Sequence, residues 1–280
     1  MTTLFDRDWE HVWNGLVSGM RRFMDENGFE DVVLGLSGGM DSSLTAALAV
    51  DTLGRDHVHG VLMPSPWSSE GSVTDAELLA RNLGIATETI LIKPMMDAFE
   101  GALTPVFAGR PVDVTEENLQ SRIRGVILMA LSNKFGWMLL ATGNKSELAV
   151  GYCTMYGDMC GALAPIADLY KTEVYALARW YNEREGWEVI PQEVFIKAPS
   201  AELRPGQKDQ DSLPEYGELD TILHALIEEG RPADGLSIPG IAEEQIRRVV
   251  SLVTRSAFKR RQAPPLLPVG GHAFGVNVRI

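Results

Sequence analysis

Two periods of apolar residues alternate along the first half of the chain. Four short apolar runs have the length and content of buried strands. They occupy residues 32–36, 57–63, 87–92 and 137–141. Other segments repeat their apolar residues at the spacing of amphipathic helices. They cover residues 9–26, 44–53, 73–83 and 116–135. Because strand and helix alternate, we predict an α/β fold with a doubly wound, open parallel sheet.

The pattern changes after Pro165. Helical spacing returns at residues 172–185, 216–229 and 243–256, whereas residues 197–214 are polar and without a period. Since we find no linker or internal repeat, we predict a single domain over residues 1–280. Its predicted parts are an N-terminal helix at 1–30, an α/β core at 31–165, and a helical C-terminal part with a tail at 166–280.

A glycine-rich turn follows the first predicted strand. Residues 37–43 read Ser-Gly-Gly-Met-Asp-Ser-Ser and lead into a predicted helix. Main-chain N–H groups point outward at such a junction, and glycine lets the backbone approach a phosphate closely. Ser37, Ser42 and Ser43 offer hydroxyl donors to the same oxygens. Asp41 would repel a phosphate unless a divalent cation lay between them, which indicates Mg²⁺ beside a bound nucleotide.

The turn differs from the two commonest phosphate-binding motifs. It lacks the Gly-Lys-Ser/Thr of the Walker A loop and the Gly-x-Gly-x-x-Gly dinucleotide fingerprint. It resembles SGGxDS, the pyrophosphate-binding loop of the ATP pyrophosphatases, which activate a carboxyl or carbonyl oxygen by adenylylation. This resemblance implies that the α/β core binds ATP. The alternative is an ordinary strand-to-helix turn in which Asp41 only caps the helix.

Composition excludes several classes of protein. The chain is 45% apolar, which suffices for a full core, and its formal net charge of −13 disfavours nucleic-acid binding. Cys153 and Cys160 lack the paired spacings of zinc sites, so we expect two buried free thiols. No run reaches the roughly 20 apolar residues of a membrane span. The acidic N-terminus does not resemble a signal peptide, so we expect no membrane association and a cytoplasmic location.

Five further segments resemble, in order, the motifs of the NAD synthetase family. They lie at residues 141–147, 151–158, 165–172, 198–205 and 258–261. The resemblance implies an adenine nucleotide alpha hydrolase-like fold. It also implies that ATP adenylylates the nicotinate carboxylate of deamido-NAD, that ammonia then forms the amide, and that AMP and pyrophosphate leave. In this family a helix like that at residues 116–135 lies at a homodimer interface, so we expect a homodimer.

The resemblance also distinguishes two branches of the family. Residues 117–125 and 256–265 are similar to the synthetase half of the glutamine-dependent branch. Only about thirty residues precede the first predicted strand, so we expect no glutaminase domain and an ammonia-dependent ligase. Whether ammonia comes from solution or from a separate glutaminase subunit stays open. Met155 and Ala162 replace a Lys and an Asp that contact deamido-NAD in the ammonia-dependent branch.

The same motifs imply individual site residues. Those implied to bind ATP are Gly35, Leu36, Ser37, Gly38, Gly39, Met40, Asp41, Ser42, Thr142, Lys171 and Ser200. Those implied to bind deamido-NAD are Asn118, Arg122, Glu147 and Lys259. Those implied to hold Mg²⁺ are Asp41 and Glu147. Those implied to act in the chemistry are Asp41, Lys171 and Asp158, the last of which would hold the incoming ammonia.

Several interpretations compete with these assignments. Glu147, Lys171, Arg122 and Arg124 could be solvated charges on helices. The chain could also be another adenylylating amide or thio-transfer synthetase, or a nucleotide-binding sensor without catalysis. Residues 65–72 fit either a mobile lid or an ordinary surface loop.

Overall fold

A parallel four-stranded sheet lies at the centre of the protein. The computed structural model describes residues 5–274. The strands are β1 (Val32–Gly35), β2 (Val58–Leu62), β3 (Ala86–Thr89) and β4 (Met138–Leu139). Their order is β3-β2-β1-β4, and Val32 pairs with Val58 on one side and with Met138 on the other. The predicted parallel sheet is confirmed, and its strand order reverses between β1 and β4, where such folds bind ligands.

Helices cover both faces of the sheet. They are α1 (Trp9–Asn27), α2 (Met40–Leu53), α3 (Glu70–Leu83), α4 (Lys93–Phe107), α5 (Val114–Phe135), α6 (Lys145–Val150), α7 (Lys171–Glu185), α8 (Gln192–Ile196), α9 (Tyr216–Ile227), α10 (Glu243–Arg255) and α11 (Ala257–Arg260). Val32 and Leu34 pack into one core with α1, α2 and α7, whereas Val33 packs with α5 on the other face. Successive strand residues point to opposite faces, so each short strand serves both cores.

A third cluster of buried side chains forms the helical C-terminal part. Leu148 of α6 packs there with Tyr216 and Leu219 of α9 and with Val249 of α10. The division into three parts stays a prediction, and residues 275–280 of the last part lie outside the described residues. Within residues 5–274, no helix is both long and apolar enough to cross a membrane.

Two helices differ from the expectation. Helix α2 begins at Met40, four residues before the predicted start, so the second half of the glycine-rich turn is its first turn. Helix α4 has no predicted counterpart, because it buries none of its residues and contains Pro105, which interrupts the helical pattern. Cys153 and Cys160 are free thiols as predicted, but both are partly exposed rather than buried.

Candidate functional site

A cavity of about 440 Å³ lies at the carboxyl ends of the strands. Each residue implied to bind a ligand lines it, with the exception of Arg122. The glycine-rich turn after β1, the face of α5 and residues 197–209 contribute much of its wall. The fold therefore gathers motifs that are more than 200 residues apart in the sequence, from Gly35 to Lys259.

The glycine-rich turn has a backbone that only glycine can adopt. Gly38 has a φ of 73°, and a Cβ built on it would lie 2.0 Å from the carbonyl oxygen of Ser72. Gly39 is the N-cap of α2 and gives no side-chain hydrogen bond to the helix. The first N–H groups of α2 therefore lack a side-chain cap, which makes this end of the helix suited to an anion.

The serines of the turn divide into two roles. Ser37 Oγ and Ser42 Oγ lie 3.0 Å apart, and both residues line the cavity. Both Ser42 and Ser43 are buried and donate to the carbonyl oxygen of Gly39, at 3.1 Å and 2.8 Å, but Ser43 does not line the cavity. The expectation that Ser43 faces a phosphate is therefore wrong, because its position one residue further along α2 turns it into the core.

An ammonium between two carboxylates lies beside the turn. Lys171 Nζ donates to Asp41 Oδ2, and to Glu147 Oε1 at 3.1 Å. It also lies 5.3 Å from the centre of the Tyr216 ring. Lys171 is only 4% exposed, so the interpretation of this residue as a solvated helix charge does not hold.

Local hydrogen bonds hold the two carboxylates in place. Asn144 and Glu147 form a capping box at the start of α6, with Glu147 N donating to Asn144 Oδ1 at 3.0 Å. Asn144 Nδ2 also donates to Asp41 Oδ1 at 2.9 Å. On the other side, Lys171 N donates to Ser146 Oγ at 2.9 Å where α7 begins. The starts of α2, α6 and α7 thus meet at one point.

Burial and charge shift the pKa of both partners upward. Burial raises the pKa of Glu147 above its usual range, the charge of Asp41 adds to this, and the Lys171 ammonium offsets only part of it. Burial alone would lower the pKa of Lys171, but the Asp41 and Glu147 carboxylates outweigh it and raise that pKa. Lys171 is therefore charged at neutral pH, while the Glu147 carboxyl retains its proton more readily than an ordinary glutamate.

These residues suit a hard divalent cation that is shared with phosphates. Mg²⁺ commonly takes one or two protein carboxylates and completes its shell with water and phosphate oxygens. Asp41 and Glu147 are two such carboxylates at one point of the cavity. Among residues 5–274, no group of three or more acidic, histidine or cysteine side chains could hold a metal by itself.

We predict that Mg²⁺ binding strengthens as pH rises from about 6 to about 9. The pKa of Glu147 is raised, so a bound cation has to displace its proton, and affinity is lost as pH falls. Calorimetry with Mg²⁺ and a non-hydrolysable ATP analogue at several pH values measures this. Glu147→Gln should bind the cation weakly with little pH dependence, and a wild-type affinity that does not change with pH would contradict the prediction.

The other end of the site contains Asn118, Asp158 and Lys259. Asp158 Oδ1 accepts from Thr154 N at 2.7 Å and from Ser121 Oγ at 3.0 Å, and burial raises its pKa. Asn118 Oδ1 accepts from Thr154 Oγ1 at 2.7 Å. Lys259 Nζ donates to main-chain carbonyl oxygens in residues 151–153. The turn at residues 151–158 thus holds these side chains together.

Arg122 lies outside the cavity, whereas Arg124 lines it. Arg122 Nε donates to the carbonyl oxygen of Met155 at 3.3 Å, and Met155 lines a second, smaller pocket. Ala162 does not line the cavity either. Arg124 Nε donates to the carbonyl oxygen of Met63 at 3.1 Å, so the interpretation of Arg124 as a solvated surface charge is wrong.

Residues 197–209 contribute side chains that the sequence patterns did not single out. Glu202 has a φ of 49° and accepts from Ser69 Oγ at 2.8 Å and from Ser72 Oγ at 2.7 Å, near the start of α3. Lys197 pairs with an acid of α3 and donates to Ser72 Oγ. Asp209 is 3% exposed and also lines the cavity. The segment has no period because it follows the cavity wall instead of packing one face, so only the motif at 198–205 marks it.

The segment at residues 65–72 is part turn and part helix. Ser69 caps α3, which begins at Glu70, and Ser68 and Ser72 line the cavity. The segment therefore forms part of the cavity wall, and its role as a lid stays a prediction.

The sheet order, the glycine-rich turn after β1 and the carboxylate pair define a nucleotide-binding protein of the adenine nucleotide alpha hydrolase-like class. A family model described as NAD synthase matches residues 12–263. The chain therefore belongs to the NAD synthase family, and the resemblance in its motifs is confirmed.

Curated relatives agree with this assignment. The chain is 52% identical over 273 residues to a glutamine-dependent NAD(+) synthetase of Synechocystis and 50% identical over 271 residues to that of Thermotoga maritima. These alignments cover 98% and 97% of this chain but 49% and 47% of those proteins. The chain thus spans about half the length of the curated relatives it matches.

Solved structures show the same fold. A glutamine-dependent NAD+ synthetase of Acinetobacter baumannii in complex with ADP is 41% identical, with a TM-score of 0.68 over 100% of this chain and 50% of that one. An NMN synthetase of Francisella tularensis is 27% identical, with a TM-score of 0.78 over 95% of this chain and 100% of that one. An NH3-dependent NAD synthetase of Campylobacter jejuni is 29% identical, with a TM-score of 0.73 over 94% and 100% of the two chains.

Proposed function

We propose that this chain carries out the ATP-dependent amidation of deamido-NAD to NAD. The observation that carries the proposal is the Lys171 ammonium held between Asp41 and Glu147 beside the glycine-rich turn. This arrangement combines main-chain N–H donors, a buried cation and two carboxylates, which are the groups that a triphosphate with its metal requires. Membership of the NAD synthase family supports the choice of substrate.

The reaction proceeds by two substitutions. A nicotinate carboxylate oxygen attacks the α-phosphorus of ATP, the bond to the bridging oxygen breaks, and pyrophosphate leaves. Ammonia then attacks the carbonyl carbon, AMP leaves with the former carboxylate oxygen, and the nitrogen loses a proton. Lys171 and the N–H groups at the start of α2 stabilise charge on the departing pyrophosphate. Asp158, which lines the same cavity, would accept a hydrogen bond from the ammonia.

Asp41 and Glu147 would hold Mg²⁺ in this scheme. When bound, the cation supplies charge neutralisation for the triphosphate. Asn144 orients Asp41, while the capping box of α6 orients Glu147, so the two carboxylates are prepared before the ligand arrives. Gly35, Leu36, Ser37, Gly38, Gly39, Met40, Ser42, Thr142 and Ser200 would complete the ATP site, and Asn118 and Lys259 would contact deamido-NAD. Arg122 stays a proposed contact from outside the cavity.

A direct assay tests the proposal. The purified chain is incubated with deamido-NAD, ATP and Mg²⁺, with either ammonium or glutamine as nitrogen donor, and NAD, AMP and pyrophosphate are quantified. We expect turnover with ammonium and none with glutamine alone. A separate glutaminase, if it is the physiological source, would restore turnover with glutamine. No NAD with any donor would contradict the proposal.

A second acceptor belongs in the same assay because of the Francisella tularensis NMN synthetase, which matches this fold over its whole length. Deamidated nicotinamide mononucleotide replaces deamido-NAD in a parallel reaction. We expect deamido-NAD to have the higher kcat/KM, since the relatives at about 50% identity are named NAD(+) synthetases. ATP binding without turnover on either acceptor would instead favour a sensor.

We also propose a homodimer formed through α5. The apolar residues of this helix have different surroundings. Ile123 is buried in the core, whereas Val126 is 67% exposed. A second copy of the chain would cover the Val126 side chain.

Val126→Asp should therefore convert the dimer to a monomer. The introduced carboxylate would be buried without a partner at the centre of the interface. Its desolvation costs more free energy than the contact at this position contributes to dimer formation. Light scattering after size-exclusion chromatography measures the mass. Leu78→Asp, on α3, is the matched control and should leave the mass unchanged. A wild-type monomer at micromolar concentration would contradict the proposal.

A further inference from the structure

The first two main-chain N–H groups of α7 are capped by side chains of other helices. An α-helix leaves its first N–H groups without partners in the helix, and here they belong to Lys171 and Thr172. Lys171 N donates to Ser146 Oγ of α6 at 2.9 Å. Thr172 N donates to Asp220 Oδ2 of α9 at 2.8 Å. The position of the start of α7 therefore depends on contacts to two other helices.

The Asp220 carboxylate connects these two caps. Its second oxygen, Oδ1, accepts from Ser146 Oγ, so one carboxylate holds both Ser146 and Thr172. Because the Ser146 hydroxyl gives its proton to this bond, its lone pairs are free to accept from Lys171 N. The result is a chain of hydrogen bonds from Lys171 N through the Ser146 hydroxyl to Asp220.

The two residues held by Asp220 are sequence neighbours of two residues of the site. Ser146 precedes Glu147, and Thr172 follows Lys171. Glu147 and Lys171 line the cavity, whereas Ser146 and Thr172 are fully buried behind it. Asp220 thus joins α6 and α7 next to the 3.1 Å contact between Lys171 Nζ and Glu147 Oε1.

A second residue of α9 contacts Lys171 from the same side. Tyr216 lies four residues before Asp220, and residues four apart share a face of a helix. The centre of the Tyr216 ring is 5.3 Å from Lys171 Nζ. Tyr216 and Asp220 are both fully buried, and neither lines the cavity. One face of α9 therefore supports the Lys171 side chain through Tyr216 and its main chain through Asp220.

An uncharged side chain of the same shape could not replace this carboxylate. Burial raises the pKa of Asp220 to about 6, and the hydrogen bonds from Ser146 and Thr172 offset only part of that rise. The acid is still largely ionised at neutral pH, and its charge suits the N-terminus of α7. An asparagine would place an NH₂ group where a second acceptor is needed. One buried donor would then lack a partner, which is unfavourable.

We propose that Asp220 is a positioning residue, which fixes the Lys171 ammonium between its two carboxylates by holding Ser146 and the start of α7. The inference rests on the proposed use of Lys171 towards a triphosphate and its cation. Since Asp220 does not line the cavity, it acts through these neighbours and not by contact with a ligand.

Calorimetry with inorganic triphosphate and Mg²⁺ tests the inference. Asp220→Asn should weaken triphosphate binding about tenfold, because the start of α7 loses one of its two caps and the ammonium moves. The control is Asp168→Asn. Asp168 is 1% exposed, accepts from the main-chain N–H groups of Val269 and Gly270, and does not line the cavity. Asp168→Asn should lower the melting temperature to a similar degree but bind triphosphate as the wild type does.

A double variant separates positioning from a general loss of stability. If Asp220 acts through Lys171, its carboxylate has no further effect once the ammonium is absent. Lys171→Met combined with Asp220→Asn should therefore bind triphosphate as weakly as Lys171→Met alone. The double variant should still melt at a lower temperature, since a helix cap is also lost. In the amidation assay, Asp220→Asn should lower kcat about tenfold and leave the KM for deamido-NAD unchanged.

Several outcomes would overturn the inference. Additive losses of binding in the double variant would do so, as would unchanged binding by a folded Asp220→Asn protein or an equal loss in Asp168→Asn. If Asp220→Asn is unfolded, Ser146→Ala carries the test, because it breaks the link to Lys171 N and keeps the cap on Thr172. It too should weaken triphosphate binding, and unchanged binding would count against the role of Asp220. Wild-type protein that makes no NAD would contradict the amidation alone, since the binding measurements do not depend on turnover.

Discussion

Asp41→Asn should reduce NAD formation by about 10³-fold or more while leaving the fold intact. Asp41 lies in the first turn of α2, accepts from Asn144 and pairs with Lys171. An asparagine fills the same space, so packing is kept. It removes the negative charge that Lys171 and a bound cation share. The rate of NAD formation at saturating ATP and Mg²⁺ measures the loss.

The control for this variant is Asp25→Asn, which removes an exposed acid of α1. It should retain the wild-type rate. Circular dichroism and a thermal melt of Asp41→Asn establish that the protein is folded. A folded Asp41→Asn protein that still forms NAD at a rate near that of the wild type would show that this carboxylate has no role in holding the metal and phosphates.

Lys171→Met should lose activity to a similar degree and should also destabilise the protein when Mg²⁺ is absent. Without the ammonium, Asp41 and Glu147 face each other in a partly buried site, and breaking such an ion pair costs about 3 kcal/mol. Added Mg²⁺ should restore much of the stability, because the cation can take over the neutralisation of both carboxylates. It should not restore turnover, since the contact to the departing pyrophosphate is missing. Urea denaturation with and without Mg²⁺ measures the change in stability.

Lys145→Met is a matched control for this variant. Lys145 is 1% exposed and pairs with Asp168 at 2.9 Å and with Glu228 at 2.5 Å, but it does not line the cavity. Its loss should destabilise the protein about as much, without rescue by Mg²⁺. If Mg²⁺ leaves Lys171→Met as unstable as before, the two carboxylates do not bind the cation together.

Local sequence patterns predict the elements of this fold well where the apolar side chains of an element pack into the core. The four strands begin and end within three residues of their predicted bounds, and α3 ends at Leu83 as predicted. These patterns fail for α4, which buries none of its residues and contains Pro105. They also fail for residues 197–209, whose side chains follow the cavity wall in an irregular backbone.

The site shows the same division. Gly38 requires glycine for its positive φ and for its approach to Ser72, and the motif marks it without any structure. Ser42 and Ser43, however, are neighbours with the same side chain, and only the turn of α2 decides that one faces the cavity and the other the core. In a similar way, the rotation of α5 decides that Arg124 lines the cavity, whereas Arg122, which the motif implies at the site, lies outside it.

The amino-acid sequence by itself determined the class of fold, the glycine-rich turn and the family, because strand and helix periods, glycine positions and motif spacing are local properties of the chain. Tertiary structure alone decided which charges meet. Lys171 reaches Asp41 across 130 residues because β4 pairs with β1, and Arg124 is left unpaired because Glu202 is held by α3. Electrostatic contacts depend on distance in space, and strand order, which no local pattern specifies, sets that distance.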